Sequence, residues 1–237
     1  MKKKYILFFL LLNISIYSFC GDFSYFPLVN AKSAKSFAGD LGALMGGGVS
    51  YTSRSLGFSG FDLGYRATYQ LKPSKDSSFM PKERAFGINF LQAEIGMPYR
   101  IDAFIRAGFG DKLTVVGGGI KYGLWKIKDG LYQMNGMLII NSHMANNLNF
   151  YAIQNGINAI FSINCGLIRP FVLLGYDSTR LNVQNALDPS LVSKNFYEAG
   201  ERIGAGLRFK MKWINLSAAY EYSRGNNLVD GAFTVRF

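Results

Sequence analysis

Phe61-Asp62-Leu63-Gly64-Tyr65-Arg66-Ala67-Thr68-Tyr69-Gln70-Leu71 carries an apolar residue at every odd position and Asp, Gly, Arg, Thr or Gln at every even one. Successive side chains of a strand point to opposite faces, so this stretch reads as a strand with one greasy and one polar face. Its length matches the ~9–11 residues that a tilted strand needs to cross a bilayer. The same alternation returns at Ile203, Ala205, Leu207, Phe209 and Met211, opposite Arg202, Gly204, Gly206, Arg208 and Lys210. It returns again over 214–222, over 151–163 and over 101–109. A secreted β-sandwich also alternates, but its solvent face favours Lys, Glu and Thr; here glycines mix with isolated charges, as the crowded interior of a small barrel demands. The expected fold is all-β, an antiparallel transmembrane β-barrel.

The connections count the strands. Two polar, proline-containing stretches are long, 72–85 and 183–195, and the others are tight: 98–100, 110–112, 127–130, 145–147 and the Cys165-Gly166 region. Membrane barrels combine short periplasmic turns with longer external loops. Counting back from a periplasmic Phe237 puts external connections at 225–229, 183–195, 145–147, 110–112 and 72–85. Both long loops then lie outside. The count gives ten strands, with the chain entering from the periplasm near Phe58. A further strand at Val49–Arg54 would raise it to twelve. Between 86 and 97 the apolar face shifts from Phe86, Ile88 and Phe90 to Leu91, Ala93, Ile95 and Met97, which predicts a bulge.

The N-terminus reads as an export signal. Lys2, Lys3 and Lys4 precede an apolar run from Tyr5 to Leu12, and Ser18-Phe19-Cys20 offers a cleavage site. The expected organisation is 1–20 signal peptide, 21–57 a helix-containing segment and 58–237 the barrel. Cys20 also permits a lipoprotein reading, although Phe19 is bulky for a lipidation signal. After cleavage only Cys165 remains, so no intramolecular disulfide is expected. Loss of the three lysines takes the formal charge from +11 to +8. A basic chain suits nucleic acid, but an exported one meets anionic lipid head groups or acidic solutes. Beyond the N-terminus no run reaches the ~18 apolar residues of a spanning helix, so insertion would be by strands. In 31–48, Phe37, Ala38, Leu41, Leu44 and Met45 follow helical spacing and Gly46-Gly47-Gly48 ends the run, which predicts a short amphipathic helix. Periplasm, membrane surface and barrel interior are all open to it.

Phe233-Thr234-Val235-Arg236-Phe237 resembles the C-terminal signal by which bacterial outer-membrane β-barrels are recognised for assembly, with Phe233, Val235 and Phe237 as its apolar positions. Ala31–Gly64, with its glycine run and Gly60-Phe61-Asp62-Leu63-Gly64, resembles uncharacterised barrel families with a short N-terminal segment. A fainter likeness is to the fatty-acid transporter type, whose N-terminal hatch plugs the lumen. The resemblance implies an outer-membrane location, outer-membrane lipids including lipopolysaccharide as surroundings, and the barrel-assembly machinery as partner; it names no activity.

On this register the inward charged residues are Asp62, Arg66, Glu94, Asp102, Arg106, Lys121, Arg202, Arg208, Lys210 and Glu221, with Asp230 and Arg236. Unpaired charge in a narrow lumen is costly. The set therefore reads either as a basic-lined passage for anions or as a salt-bridged filling. His143 is the single histidine, and Ser142 beside it points to the opposite face, so the two cannot form a nucleophile–base pair. One His and no clustered ligands give no metal site, and Gly117-Gly118-Gly119 lacks the Lys and helix of a phosphate loop. No cofactor is expected. Tyr65, Tyr69, Tyr122, Tyr132, Tyr220, Tyr222 and Phe209 fall on the outward face, as interfacial aromatics do. Three functions remain: a non-enzymatic structural or small-solute barrel; a surface adhesin or lipopolysaccharide binder using 72–85 and 183–195; and an embedded lipid hydrolase.

Overall fold

The computed structural model describes residues 23–80, 84–110, 112–127 and 130–237. The expected signal peptide and Cys20 lie outside these residues. Ten strands follow in order: β1 Phe61–Gln70, β2 Phe86–Gly96, β3 Ile101–Gly110, β4 Leu113–Gly123, β5 Met134–Asn146, β6 Phe150–Ile163, β7 Ile168–Val183, β8 Asn195–Lys210, β9 Ile214–Ser223 and β10 Asn226–Arg236. Each pairs antiparallel with its chain neighbour, and β1 pairs with β10 from Asp62↔Arg236 to Gln70↔Leu228, so the sheet closes into a barrel. Closure leaves no strand edge unpaired, the condition for strands to cross lipid. Val49–Arg54 is not an eleventh strand; it lies inside the lumen.

Burial alternates along the strands as the sequence pattern requires, for instance at every second residue of β9. The outward side chains form a continuous apolar band. It runs through Leu138 and Ile140 on β5, Ile157 and Ile163 on β6, Val172 and Leu174 on β7, and Ile203 and Leu207 on β8, all exposed. In water such a band would drive aggregation; on a closed barrel it is the surface that meets hydrocarbon. Ser142, Asn155, Ser178 and Glu201 end the band towards the long connections. That end is termed the outer end, and the end where β1 begins and β10 finishes the inner end.

The expected bulge is absent. β2 keeps one register against both β1 and β3. Phe86, Ile88 and Phe90 face the lumen together with Gln92 and Glu94. The strand does not turn over; the lumen changes polarity with depth. Leu113 and Val115 of β4, Phe150 and Ala152 of β6, Leu181 and Val183 of β7 and Leu228 of β10 also face inward near the outer end, and all are buried. Two connections also differ from expectation. The β9–β10 turn is only Arg224-Gly225, both with positive φ (54° and 82°), as a two-residue hairpin turn requires. The β4–β5 connection spans 124–133 rather than 127–130.

Helix α1, Ala31–Gly46, begins at Asn30, whose side chain accepts from Ser33 N at 2.8 Å. It lies inside the barrel at the outer end, its Phe37, Leu41, Leu44 and Met45 filling the apolar ring. The amphipathic spacing suggests one wet face, but residues 37–53 are buried without interruption, because the barrel wall surrounds the helix on all sides. The chain therefore reaches β1 from the lumen, rather than entering directly from the periplasm near Phe58.

The band makes a depth-dependent prediction. Val172→Arg on β7 should cost about 2–4 kcal/mol and Ser178→Arg only about 0–1, since a lipid-facing charge is worst at mid-depth. Urea unfolding in lipid vesicles reads both; equal costs would remove the band from the hydrocarbon.

Candidate functional site: the plugged lumen

Three wall arginines hold the C-terminal end of α1. Arg202 on β8 donates through Nη2 to Ala43 O at 2.8 Å. Arg106 on β3 donates to Gly47 O at 2.9 Å and to Met45 O. Arg66 on β1 donates to Gly48 O and Val49 O at 3.0 and 2.9 Å. The last carbonyls of a helix have no partner within it and carry its negative dipole end, so they are natural acceptors for guanidinium groups. Small residues allow the approach: a Cβ on Gly46 would meet Arg202 Nη2 at 2.6 Å and Asp177 Oδ2 at 2.9 Å.

Each arginine is also set by the wall. Arg202 is fully buried and pairs with Asp177 at 2.7 Å and with Glu221. Arg66 pairs with Glu94, which also meets Lys121 Nζ at 2.8 Å and accepts from Gln92 at 2.7 Å. Arg106 has no carboxylate partner among these ion pairs; its guanidinium stacks over Phe90, 4.1 Å from the ring centre. Below the helix, the extended segment 47–60 continues inward. Lys121 Nζ meets Ser50 Oγ at 3.4 Å, Ser53 Oγ donates to Asn135 O at 2.6 Å, and Asp102 accepts from Leu56 N at 2.9 Å. Asp62 meets Arg208 at 3.7 Å and Arg236 at 3.5 Å near the inner end. Across the β1–β10 seam, Thr68 donates to Asp230 at 2.5 Å.

Nine of the ten lumen candidates are thus buried inside the wall. Lys210 is the exception: it is exposed at the inner rim, opposite Asn215, because β8 ends there. His143 faces the lumen and Ser142 the outside. Its Nδ1 lies 2.6 Å from Gln154 Oε1, and Gln154 donates to Asp177 at 2.9 Å, so the imidazole joins the Arg202 network through an amide rather than pairing with a serine. Gly117 lies opposite, where a Cβ would collide with the imidazole. That contact accounts for one of the three consecutive glycines.

The sequence reading missed Asp40, the one carboxylate on α1. It accepts from Gln70 Nε2, Ser74 N and Asn226 Nδ2 at 3.0 Å each and from Ser77 Oγ at 2.9 Å. These contacts fasten the long β1–β2 connection onto the helix. A lone Asp in a run of Ala, Gly and Leu was the available signal.

No protein-family model matches the chain, and no curated protein matches it. Among solved structures it is similar to the Ail attachment invasion locus protein of Yersinia pestis, 12% identical over 76% of this chain and 97% of that one, TM-score 0.35. It is similar to the KdgM porin at 6%, covering 74% and 99%, TM-score 0.37. Neisserial surface protein A matches at 12%, covering 75% and 95%, TM-score 0.31. The closed strand order, not these likenesses, establishes the barrel.

Asp40→Ala should free the β1–β2 connection. Tryptic cleavage at Lys75 is expected to rise about tenfold or more, for a loss of about 1.5–3 kcal/mol of charge-assisted hydrogen bonding. Unchanged protection would remove Asp40 from that role.

Proposed function

We propose that the protein is an integral, non-enzymatic β-barrel of the bacterial outer membrane whose lumen is closed by its own N-terminal segment. The observation that carries this reading is the uninterrupted burial of residues 37–53 inside the wall, with Arg66, Arg106 and Arg202 bound to the segment's backbone carbonyls. A passage for solutes would need an open path through the space these groups fill. The outer end faces the exterior, in keeping with its two long connections and with strands that begin and end at the other side. Phe233 and Val235 lie on the outward face of β10, and Phe237 exchanges backbone hydrogen bonds with Phe61 at 2.8 and 3.2 Å. On this reading they are the edge offered to the barrel-assembly machinery before β1 closes on β10, and lipopolysaccharide and other outer-membrane lipids surround the band. His143 serves the packing of the lumen, not hydrolysis.

Planar-bilayer recording of the refolded protein tests the closed lumen. Wild type should show no ohmic step, and Arg106→Ala combined with Arg202→Ala should admit openings. Loss of Arg202 alone leaves Asp177 and Glu221 buried without their cation, at a cost of about 3–5 kcal/mol. A steady wild-type conductance would overturn the proposal.

A second reading, binding of polyanionic surfaces such as lipopolysaccharide, is favoured by the charge of the outer end. Among the described residues Lys32, Lys35, Lys72, Lys75, Arg84, Lys112, Arg180 and Lys194 face Asp76, Asp188, Glu198 and Glu201 there. Replacing both long connections with short neutral turns should abolish such binding, and undiminished binding would exclude it.

A further inference from the structure

Gly117 answers to His143 inside the wall, but its neighbour Gly118 faces the lipid side. Cross-strand register sets Gly118 in one row with Ser142 on β5, Asn155 on β6 and Ser178 on β7. The next outward row towards the inner end is Ile120, Ile140, Ile157 and Tyr176, all large and exposed. A short polar row therefore stands directly above a long apolar one. Together they line a groove of about 710 Å³ on the outside of the barrel. Gly118 keeps its near end open, since a Cβ there would come within 2.6 Å of Phe104 O.

The polar row is unmatched by the protein. Ser142, Asn155 and Ser178 are exposed, and among the described residues their side chains make no hydrogen bond. They lie where the apolar band ends, so their partners must come from what surrounds the barrel at that depth. Arg180 follows on the same face of β7, exposed and without an ion pair among the described residues. The row spans three strands, and two strand spacings make about 10 Å. That is wide for one glycerol unit and suits a sugar head.

We infer that the groove is a binding site for one phosphorylated, acylated glycolipid of the surrounding membrane. An acyl chain lies along Ile120, Ile140 and Ile157. The sugar hydroxyls and acyl linkages exchange hydrogen bonds with Ser142, Asn155 and Ser178, and Arg180 meets a phosphate. Hydrocarbon, hydroxyl and phosphate are met in the order in which depth presents them.

The inference rests on the outward orientation proposed above, and the test separates the two. The refolded protein in detergent is mixed with lipid A or, separately, with phosphatidylglycerol, and bound lipid is counted by native mass spectrometry. Wild type should retain one lipid A, about tenfold more tightly than phosphatidylglycerol. Ser142→Leu with Asn155→Leu and Ser178→Leu keeps a lipid-facing wall and should weaken that retention about tenfold or more. Should the triple variant fail to fold, Asn155→Leu alone carries the test, with a loss of about threefold or more. No retained lipid A, or retention untouched by the folded variant, would overturn the site. Retention lost only on replacing the long connections would also overturn it, and would favour the polyanion reading instead. Equal retention of phosphatidylglycerol would overturn the sugar head. Orientation is read independently from Cys165, exposed in the β6–β7 turn at the inner end. A membrane-impermeant maleimide should label it only on permeabilised cells; labelling on intact cells would overturn the orientation while the detergent result stands on its own.

Discussion

The bond between wall arginines and helix carbonyls is the constraint on which this molecule turns. A ten-strand barrel has more interior than its own side chains fill easily, since about eight strands already give a lumen just wide enough for them. A helix can occupy the surplus, but its C-terminal carbonyls then lie buried and unmet. Arg66, Arg106 and Arg202 come from three separate strands and meet five carbonyl oxygens between Ala43 and Val49, two in the last turn of the helix (Ala43 and Met45) and three just beyond it (Gly47, Gly48 and Val49). Wall and plug answer each other's need: the helix end supplies acceptors for buried cations, and the cations supply donors for a buried helix end. Glu94 sets the position of the Arg66 guanidinium, Asp177 and Glu221 that of Arg202, and Arg106 rests on the ring of Phe90.

The two zones of the lumen follow from this arrangement. The outer half is largely apolar where it meets Phe37, Leu41, Leu44 and Met45 of α1, with Gln70 and Asn226 turned to Asp40, and the inner half is polar where it meets the backbone and hydroxyl groups of 47–60. Depth, not strand identity, decides the character of an inward position. Phe86 and Glu94 share one face of one strand and yet belong to different chemistry.

This explains what the sequence made legible. The alternation of Phe61–Leu71 has period two and is local, so the ten strands, their facing and the lumen charges could be read directly. The parity of loop lengths fixed which connections share an end. The bulge at 86–97 was an error of assumption: a uniformly polar lumen makes Phe86, Ile88 and Phe90 look misplaced, whereas they are placed for a partner some fifty residues earlier. The arginine bonds were invisible because their acceptors are backbone atoms, which no residue letter marks. Asp40 escaped for a related reason, its donors coming from Gln70, Ser74, Ser77 and Asn226, remote in sequence. Lys210 obeyed the alternation and still left the lumen, because alternation says nothing of where a strand stops.

The seam between β1 and β10 has a bearing on how such an object comes into being. It is the pairing that joins the two ends of the barrel's chain, while every other neighbouring pair is joined by a short or moderate connection. A plug enclosed on all sides cannot be pushed into a finished cylinder past Arg202, a fully enclosed side chain of the wall. The sheet must therefore curl around the helix as around a mandrel, and the last strand to be made is the one that shuts it. Time order in synthesis and radial order in the product coincide: what emerges first becomes the centre, and what emerges last becomes the latch.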